Sequence, residues 1–314
     1  MTSIALCIPA YQAACYLPRL LRSAQVQVVS FDEIWVYDDA SSDNTSEIAM
    51  EFGAQVIRGD NNIGCSAGKN VLLHQVSSEW IHFHDADDEL LPEFTLLAHK
   101  WISRGDACPD VLLFNYEYRD NETFHLIAKS DFDPFQLECD PLRYAILNQI
   151  NPFCGLYRRS RLLEVGGYDT DKQILYNEDV AFHCKLAKAG LSFSAEKTVA
   201  LINYRLANSM SNSNTLKCLQ AHVEVMRRLS CELSSLYPLE IKQRLWAACT
   251  GLAVFGRWRE VDTALALASS LTGETPKNQS ASFALLCLLV GPRLAFRMRE
   301  IIIRLFKPSL RPNI

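Results

Sequence analysis

Two aspartates separated by one residue follow an apolar stretch and form the first candidate site of the sequence. Trp80 and Phe83 suit a buried strand, and Asp85 and Asp87 come shortly after it. Residues two apart in an extended backbone point to the same side, so both carboxylates would face one point. A hard divalent cation, Mg²⁺ or Mn²⁺, prefers oxygen ligands and would relieve the repulsion between the two charges. The pair predicts a metal site, although a solvated acidic loop that caps a helix near Pro92 would use the same residues.

The sequence around this pair alternates between apolar runs and amphipathic stretches. Apolar runs predict strands at residues 4–8, 34–37, 54–57 and 80–83, and amphipathic stretches predict helices at 16–24, 48–52 and 66–76. This alternation predicts an α/β fold with a mostly parallel, doubly wound sheet, whose ligands lie beyond the carboxyl ends of the strands. Polar clusters lie at residues 9–12, 38–39, 61–64 and 85–88. Each follows a predicted strand, so they would meet at one edge of the sheet.

Composition narrows the class of protein. The chain has 314 residues, is 49% hydrophobic and 21% charged, and can bury a full core. Its net charge of -5 argues against nucleic acid as a partner. The eleven cysteines include no Cys-x-x-Cys pair, which predicts reduced thiols in a cytoplasmic protein. We expect no signal peptide, and no apolar run reaches the roughly 17–25 residues of a spanning helix.

Six motifs, taken together and in order, resemble those of family 2 glycosyltransferases of GT-A fold. They are IPAY (8–11), YDDASSD (37–43), NIGCSAGKN (62–70), HDADD (84–88), GGYD (166–169) and EDVAF (178–182). The resemblance covers residues 3–210. It implies a hexosyltransferase that uses a nucleotide diphosphate-sugar, with a UDP-sugar the first expectation. The implied acceptor is a carbohydrate or lipid-linked hydroxyl in polysaccharide or glycolipid synthesis.

The resemblance assigns the nucleoside to the loops after the first two strands. Pro9, Tyr11, Asp38 and Asp39 occupy the matching positions. The chemistry agrees, because Tyr11 can stack on a base and Asp39 can accept hydrogen bonds from a uracil N–H or a ribose hydroxyl. The alternative is that both aspartates only complement the dipole of the helix that follows.

The next motif is implied to lie beside the diphosphate. Asn62 and Gly64 match positions near the nucleotide, and Lys69 would face the phosphates. The family often has Arg where this chain has Lys69, so the positive charge is kept and the bidentate fork is lost. The alternative is a solvated lysine on a helix surface.

The acidic motif is implied to hold the metal. Asp85 and Asp87 would bind the divalent ion that bridges both phosphates and neutralises the charge on the leaving nucleoside diphosphate. Asp85 is also expected to contribute to the substrate site. Asp88 would hydrogen-bond hydroxyls of the donor sugar or orient the pair.

The last motif is implied to supply the catalytic base. Asp179, with Glu178 beside it in the substrate site, would take the proton from the acceptor hydroxyl as its oxygen attacks C1 of the sugar. Direct displacement of this kind inverts the anomeric centre. The alternative is that a carboxylate at a helix start is only a cap.

One position departs from the family pattern. Many relatives carry a histidine where this chain has Ala207, and that histidine helps to bind the metal and the diphosphate. His183 is a conceivable substitute, although a lone helix histidine is more often structural. Ala207 keeps open a catalytically weak or inactive sugar-nucleotide-binding protein. A nucleotidyltransferase is a third reading, which the lack of a Gly-rich basic loop after the first strand disfavours.

The resemblance ends before the last third of the chain. We expect a GT-A domain at residues 1–214 and a helical extension at 215–314. In the final helix Leu294, Ile301 and Leu305 share one face, and Arg297 and Arg304 lie on another. This pattern predicts either contact with a membrane surface, as a peripheral protein, or docking on the domain or on a second copy in a homo-oligomer.

Overall fold

The structure is a computed structural model that describes residues 2–206, 213–233, 236–274 and 279–311. The chain divides into two compact units. The first is Met1–Thr170 with Glu178–Ser209, and the second is Asp171–Asn177 with Met210–Ile314. Whether either part folds alone, with a boundary after residue 214, remains a prediction.

The first unit is built on one mixed β-sheet. Its strands are β1 (Ile4–Ala10), β2 (Glu33–Asp38), β3 (Gln55–Arg58), β4 (Trp80–Phe83), β5 (Glu89–Leu90), β6 (Val111–Asp120), β7 (Leu126–Lys129), β8 (Gly155–Arg158) and β9 (Phe193–Arg205). Their order is β3-β2-β1-β4-β8-β6-β9-β5, with β7 paired to β6. Among the described strands, β5, β7 and β8 run against the other six. The predicted α/β fold with a mostly parallel sheet is therefore confirmed.

Helices flank the sheet of the first unit. They are α1 (Leu17–Gln25), α2 (Thr45–Glu51), α3 (Cys65–Gln75), α4 (Phe94–Ile102), α5 (Pro134–Cys139), α6 (Pro141–Leu147), α7 (Arg159–Val165) and α8 (Glu178–Lys188). The sequence analysis did not predict α5 and α6, because helices of one or two turns show no periodicity. Their start signals are clear in retrospect: Asp133 and Asp140 accept N-capping hydrogen bonds, and a proline follows each.

The core lies along β1, which explains where the polar clusters gather. Ile4, Leu6 and Ile8 have no exposed surface, as expected of a central strand. β1, β2 and β4 are parallel neighbours, so their carboxyl ends share one edge. The backbone continues the pairing beyond the strands: the Asp39 N–H donates to the Ala10 carbonyl at 2.9 Å, and the His84 N–H donates to the Cys7 carbonyl at 3.0 Å.

The second unit is helical in its described residues. Its helices are α9 (Thr215–Leu233), α10 (Pro238–Val254), α11 (Trp258–Ser270), α12 (Ala281–Val290) and α13 (Pro292–Phe306). None of the helices in the described ranges combines the length and apolarity needed to cross a bilayer. All eleven cysteines lie in the described ranges, and all are free.

Candidate active site

The acidic loop after β4 is anchored to β9 by Asp88. This side chain is almost fully buried and accepts hydrogen bonds from the Asn203 amide and the Tyr204 N–H, both at 2.8 Å. The Arg19 guanidinium also ties the loop to β9, because it donates to the Asp87 carbonyl and lies 3.7 Å from the centroid of the Tyr204 ring. Both Asp88 oxygens are therefore engaged inside the protein. Its expected contact with the donor sugar remains a prediction.

Asp85 and Asp87 are the two aspartates of this loop that could bind a metal ion. Asp85 keeps 30% of its side chain exposed. Burial raises the pKa of Asp87, and the Asp85 carboxylate raises it further, against the opposing influence of Arg19. This mutual repulsion and the all-oxygen donor set suit a divalent cation. In the described part of the chain no three His, Cys, Asp or Glu side chains are arranged to hold a metal. Two protein ligands would thus need water or phosphate oxygens to complete the shell.

Lys69 places a buried cation beside these carboxylates. It is 3% exposed, so the interpretation as a solvated surface lysine is wrong. Its Nζ lies 3.9 Å from an Asp85 oxygen and 5.3 Å from the centroid of the Tyr168 ring. Burial alone would lower the pKa of Lys69, but the Cys65 thiol and the Asp85 and Asp179 carboxylates raise it. Lys69 therefore stays charged within an acidic cluster.

Asp179 and Glu178 begin α8 and belong to the same cluster. Burial raises the pKa of Glu178, and the adjacent Asp179 adds to that rise. Burial also raises the pKa of Asp179, while Lys69 lowers it and Asp85 raises it. The structure thus brings Asp179 and Asp85, which are far apart in sequence, close enough to one lysine for both to act on its charge. We name Lys69, Asp85, Glu178 and Asp179 the Lys69 cluster.

His183 holds the start of α8 and is not placed as a metal ligand. It has no exposed surface; its Nδ1 donates to the Asp179 carbonyl at 2.9 Å. Because a carbonyl can only accept, Nε2 is the acceptor for the Tyr157 hydroxyl, also at 2.9 Å. Burial lowers the pKa of His183 to about 4, so the ring is neutral. Both nitrogens are occupied, which favours the structural interpretation.

The two aspartates at the end of β2, Asp38 and Asp39, mainly hydrogen-bond the loops that follow. Asp38 is buried and accepts from the Ser41 N–H at 2.9 Å and from the Ser46 hydroxyl. Burial by itself would raise the pKa of Asp38, but these bonds lower it below the ordinary value. Asp39 accepts from the N–H groups of Ile63 at 2.7 Å and Gly64 at 2.8 Å. A nucleoside could use only their remaining lone pairs, so both binding assignments remain predictions. Ser46 lies in the first turn of α2, so the helix-dipole alternative also stays open for Asp38.

The other expected nucleotide residues line the same edge. Tyr11 follows β1 and is 55% exposed, and Asn62 is also exposed. Pro9 is half-buried within β1 and pairs with Tyr37. Gly64, the residue before α3, has a φ of +88°, a backbone conformation that residues with a side chain rarely adopt. An exposed aromatic ring fits the base of a nucleotide, and the binding roles of these residues stay predictions.

Sequence reasoning missed the residues that join α3 to the GGYD turn. The Asn70 amide donates to the Tyr168 carbonyl at 2.9 Å, and the Tyr168 N–H donates back to Asn70 at 2.8 Å. A Cβ on Gly167 would lie 2.3 Å from Asn70 Oδ1, so glycine is required there. The Tyr168 hydroxyl is buried and has no hydrogen-bond partner within the described ranges. The signal was present, because Asn70 directly follows Lys69 and Tyr168 completes the GGYD motif.

The position of the family histidine, Ala207, lies outside the described residues, and so does Asn208. The effect of Ala207 on metal binding stays a prediction.

Comparison with known proteins points to one family. Residues 5–166, just over half of the chain, match the sequence model of Glycosyl transferase family 2. The glycosyltransferase GlyA of Streptococcus pneumoniae serotype 4 is 28% identical over 291 residues, which cover 86% of this chain and 39% of that protein. An uncharacterized glycosyltransferase of Haemophilus influenzae is 26% identical over 231 residues, covering 69% of this chain and 74% of that protein. The chain thus spans about two fifths of the GlyA length.

Solved structures share the fold. S. aureus TarS superposes with a TM-score of 0.65 at 19% identity, covering 95% of this chain and 54% of that chain. TarS 1-349 in complex with UDP-GlcNAc gives 0.58 at 17% identity and covers 86% of this chain and 91% of that chain. The mannosyltransferase PcManGT from Pyrobaculum calidifontis, in complex with GDP-Man and Mn²⁺, gives 0.56 at 17% identity, covering 96% and 87%. At such identities the likeness establishes the fold, and it confirms the predicted GT-A class.

Proposed function

The chain is a member of glycosyl transferase family 2, and we propose that it is an inverting, metal-assisted enzyme that transfers a hexose from a nucleotide diphosphate-sugar to a hydroxyl acceptor. The observation that carries the proposal is the Lys69 cluster. A lysine buried beside three carboxylates is poorly explained by folding stability alone, because apolar side chains in the same place would be buried at a lower cost in free energy. It suits a site that receives an anionic diphosphate and a cation together.

Donor binding is assigned to the loops at the strand ends and to Lys69 on α3. Lys69 offers a positive charge to the diphosphate, and Tyr11 offers a ring to the base. Asp85 and Asp87 would hold the divalent ion, which supplies positive charge against the leaving diphosphate. The complexes of TarS with UDP-GlcNAc and of PcManGT with GDP-Man and Mn²⁺ support a nucleotide-sugar donor, with UDP-sugars first, and Mn²⁺ as the metal.

Transfer is assigned to Asp179. Its raised pKa makes it a stronger base than an exposed aspartate, and His183 fixes its backbone. The acceptor hydroxyl gives its proton to the Asp179 carboxylate, and the acceptor oxygen forms the new bond to C1 of the sugar. The bond from C1 to the phosphate oxygen breaks, and the nucleoside diphosphate leaves from the opposite face.

The biological setting that we propose is the assembly of a surface polysaccharide or glycolipid on a carbohydrate or lipid-linked acceptor. It rests on the family resemblance and on the bacterial origin of GlyA and TarS. The free cysteines agree with a reducing, cytoplasmic compartment. These assignments concern a chain that covers only part of the GlyA length.

Ala207 supports a second candidate, a sugar-nucleotide-binding protein with little or no turnover. The two candidates differ in one measurement. With Mn²⁺ and a panel of nucleotide sugars, an enzyme releases nucleoside diphosphate, whereas a pure binder raises the melting temperature without release.

The base assignment is tested with Asp179→Asn. Once the panel has identified the donor, this substitution should lower transfer by about 10²–10⁴-fold, because the proton acceptor is lost. The affinity for the donor, measured by calorimetry, should be unchanged. Asp106→Asn, on an exposed segment, is the matched control and should behave as the parent. Transfer by Asp179→Asn at the parental rate would remove Asp179 from the mechanism.

A further inference from the structure

The last two helices of the second unit leave an apolar surface in water. Leu288 is 83% exposed and Leu305 is 71% exposed. We call the set to which they belong the α12–α13 surface: Leu285, Leu288, Leu289, Leu294, Ile301 and Leu305. Isolated exposed leucines are common, but neighbouring ones on two consecutive helices mark a contact surface.

The apolar stripe predicted from the sequence points outward. α13 packs within its unit through the opposite side, where the Phe296 ring lies 5.7 Å from Trp246 and 5.0 Å from Phe283. Leu294, Ile301 and Leu305 recur at helical spacing and are all exposed. The stripe is therefore exposed within its own unit, while α13 itself packs on other helices of that unit through Phe296. The stripe remains available for an external partner.

The same segment carries positive charge in an acidic protein. Residues 279–311 contain six arginines or lysines and a single glutamate, although the whole chain has a net charge of -5. That glutamate, Glu300, is buried and accepts two hydrogen bonds from Arg311 at 2.6 and 2.7 Å. Lys307 is exposed, and Arg293 and Arg297 share one partner, Asp262, at 3.6 and 3.4 Å. An excess of positive charge thus borders the apolar surface.

We propose that the α12–α13 surface docks on the surface of an anionic lipid bilayer. Apolar side chains would enter the boundary between headgroups and acyl chains, and the flanking cations would meet lipid phosphates. α12 has ten residues and α13 has fifteen, so they are about 15 and 22 Å long. Both are too short for a hydrocarbon core of about 30 Å, so the helices would lie on the membrane and not span it. A two-fold contact with a second copy is disfavoured, because it would bring two positively charged segments together.

The test uses the full chain and sedimentation with lipid vesicles. The parent should partition strongly onto vesicles that contain phosphatidylglycerol and weakly onto pure phosphatidylcholine. In about 0.5 M salt, where the Debye length is about 4 Å, the difference should largely disappear. Leu288→Gln with Leu289→Gln should lower partitioning at least about tenfold. Both side chains are exposed, so folding should be unaffected, which the melting temperature checks.

Matched controls separate this surface from general apolarity and charge. Leu126→Gln with Ile127→Gln changes two exposed side chains of β7 and should partition as the parent. Lys307→Gln should weaken binding to anionic vesicles, and Lys100→Gln should not. Equal partitioning of the Leu288/Leu289 variant and the parent would overturn the proposal. So would a parent dimer in light scattering that this variant abolishes. Because binding needs no nucleotide sugar, the result is independent of whether the proposed transferase activity is found.

Discussion

The Lys69 cluster and the α12–α13 surface place side chains in opposite unfavourable environments. In the first unit the Lys69 ammonium and the Glu178 carboxyl are buried, which costs free energy unless neighbouring charges compensate. In the second unit large apolar side chains remain in water, which forfeits the stabilisation that their burial would give. Neither arrangement favours the stability of the folded chain by itself. We therefore attribute each arrangement to a proposed partner, the sugar donor for the cluster and a lipid surface for the two helices.

The two regions differ in how they would recognise a partner. The cluster offers directional groups at fixed positions, Lys69 against Asp85 at 3.9 Å and α8 held by His183. Such a site selects its ligand by geometry. The α12–α13 surface offers area and net charge with no fixed acceptor or donor geometry. A surface of that kind selects a class of surface, such as an anionic bilayer, and tolerates variation in the individual molecules.

Of the substitutions that test this comparison, the one that removes the cation of the cluster should have the largest effect. Lys69→Met should lower kcat/KM by about 10²–10³-fold, the range seen when one group that stabilises developing negative charge is lost. It also leaves Asp85 and Asp179 without their shared cation, so the melting temperature should fall. Lys69→Arg keeps the charge and serves as control. Kinetics with the preferred donor give the first result and thermal unfolding the second.

If Lys69→Met kept the parental activity, the buried lysine would be structural. The buried charges of the Lys69 cluster would then be part of the folded structure and would not indicate a ligand site. Only the α12–α13 surface would still point to a partner.

A smaller effect is expected from a buried histidine of the second unit. Burial lowers the pKa of His222 to about 3, and its Nδ1 donates to Asn177 Oδ1 at 3.0 Å. In the unfolded chain the pKa returns to about 6.5, so the unfolded state binds a proton first as the pH falls. The stabilisation is present above about pH 6.5 and is lost towards pH 3. Between pH 7 and pH 5 the loss should be about 2 kcal/mol.

Denaturant unfolding at several pH values checks this prediction. His222→Gln should flatten the decline in stability of the second unit below pH 6.5, and His125→Gln, on an exposed turn, should leave it unchanged. An identical pH profile for His222→Gln and the parent would show that His222 does not remain neutral in the folded state.

The smallest expected effect sharpens the membrane side of the comparison. Asp262 lies 3.6 Å from Arg293 and 3.4 Å from Arg297, in partly exposed ion pairs. Asp262→Asn should change the free energy of unfolding by less than about 1 kcal/mol, as for other exposed pairs. It should nevertheless increase partitioning onto anionic vesicles, because it removes the negative charge next to two arginines. Asp106→Asn is the control, and decreased partitioning of Asp262→Asn would argue against an electrostatic contribution.

Local pattern was sufficient for most of the fold. The strands at residues 4–8 and 80–83 are short-range features and were predicted correctly, although β1 continues through Pro9 and Ala10, which the sequence analysis placed in the following loop. Short helices such as α5, and the two-residue strand β5 that pairs with β9, escaped prediction. A helix of six residues has no measurable period, and a strand of two residues forms only because its partner already exists.

The sequence by itself determined the alternation of strands and helices, the family motifs and the positive charge of the last helix, because these depend on residues close together in the chain. Only the tertiary structure decided which acidic side chains are hydrogen-bonded within the protein and which lie in the candidate site. It engages Asp88 through Asn203 and Tyr204, leaves Asp85 beside Lys69, and turns the apolar stripe of α13 outward. These outcomes depend on hydrogen bonds and packing between segments that are distant in the chain, so local sequence patterns do not predict them.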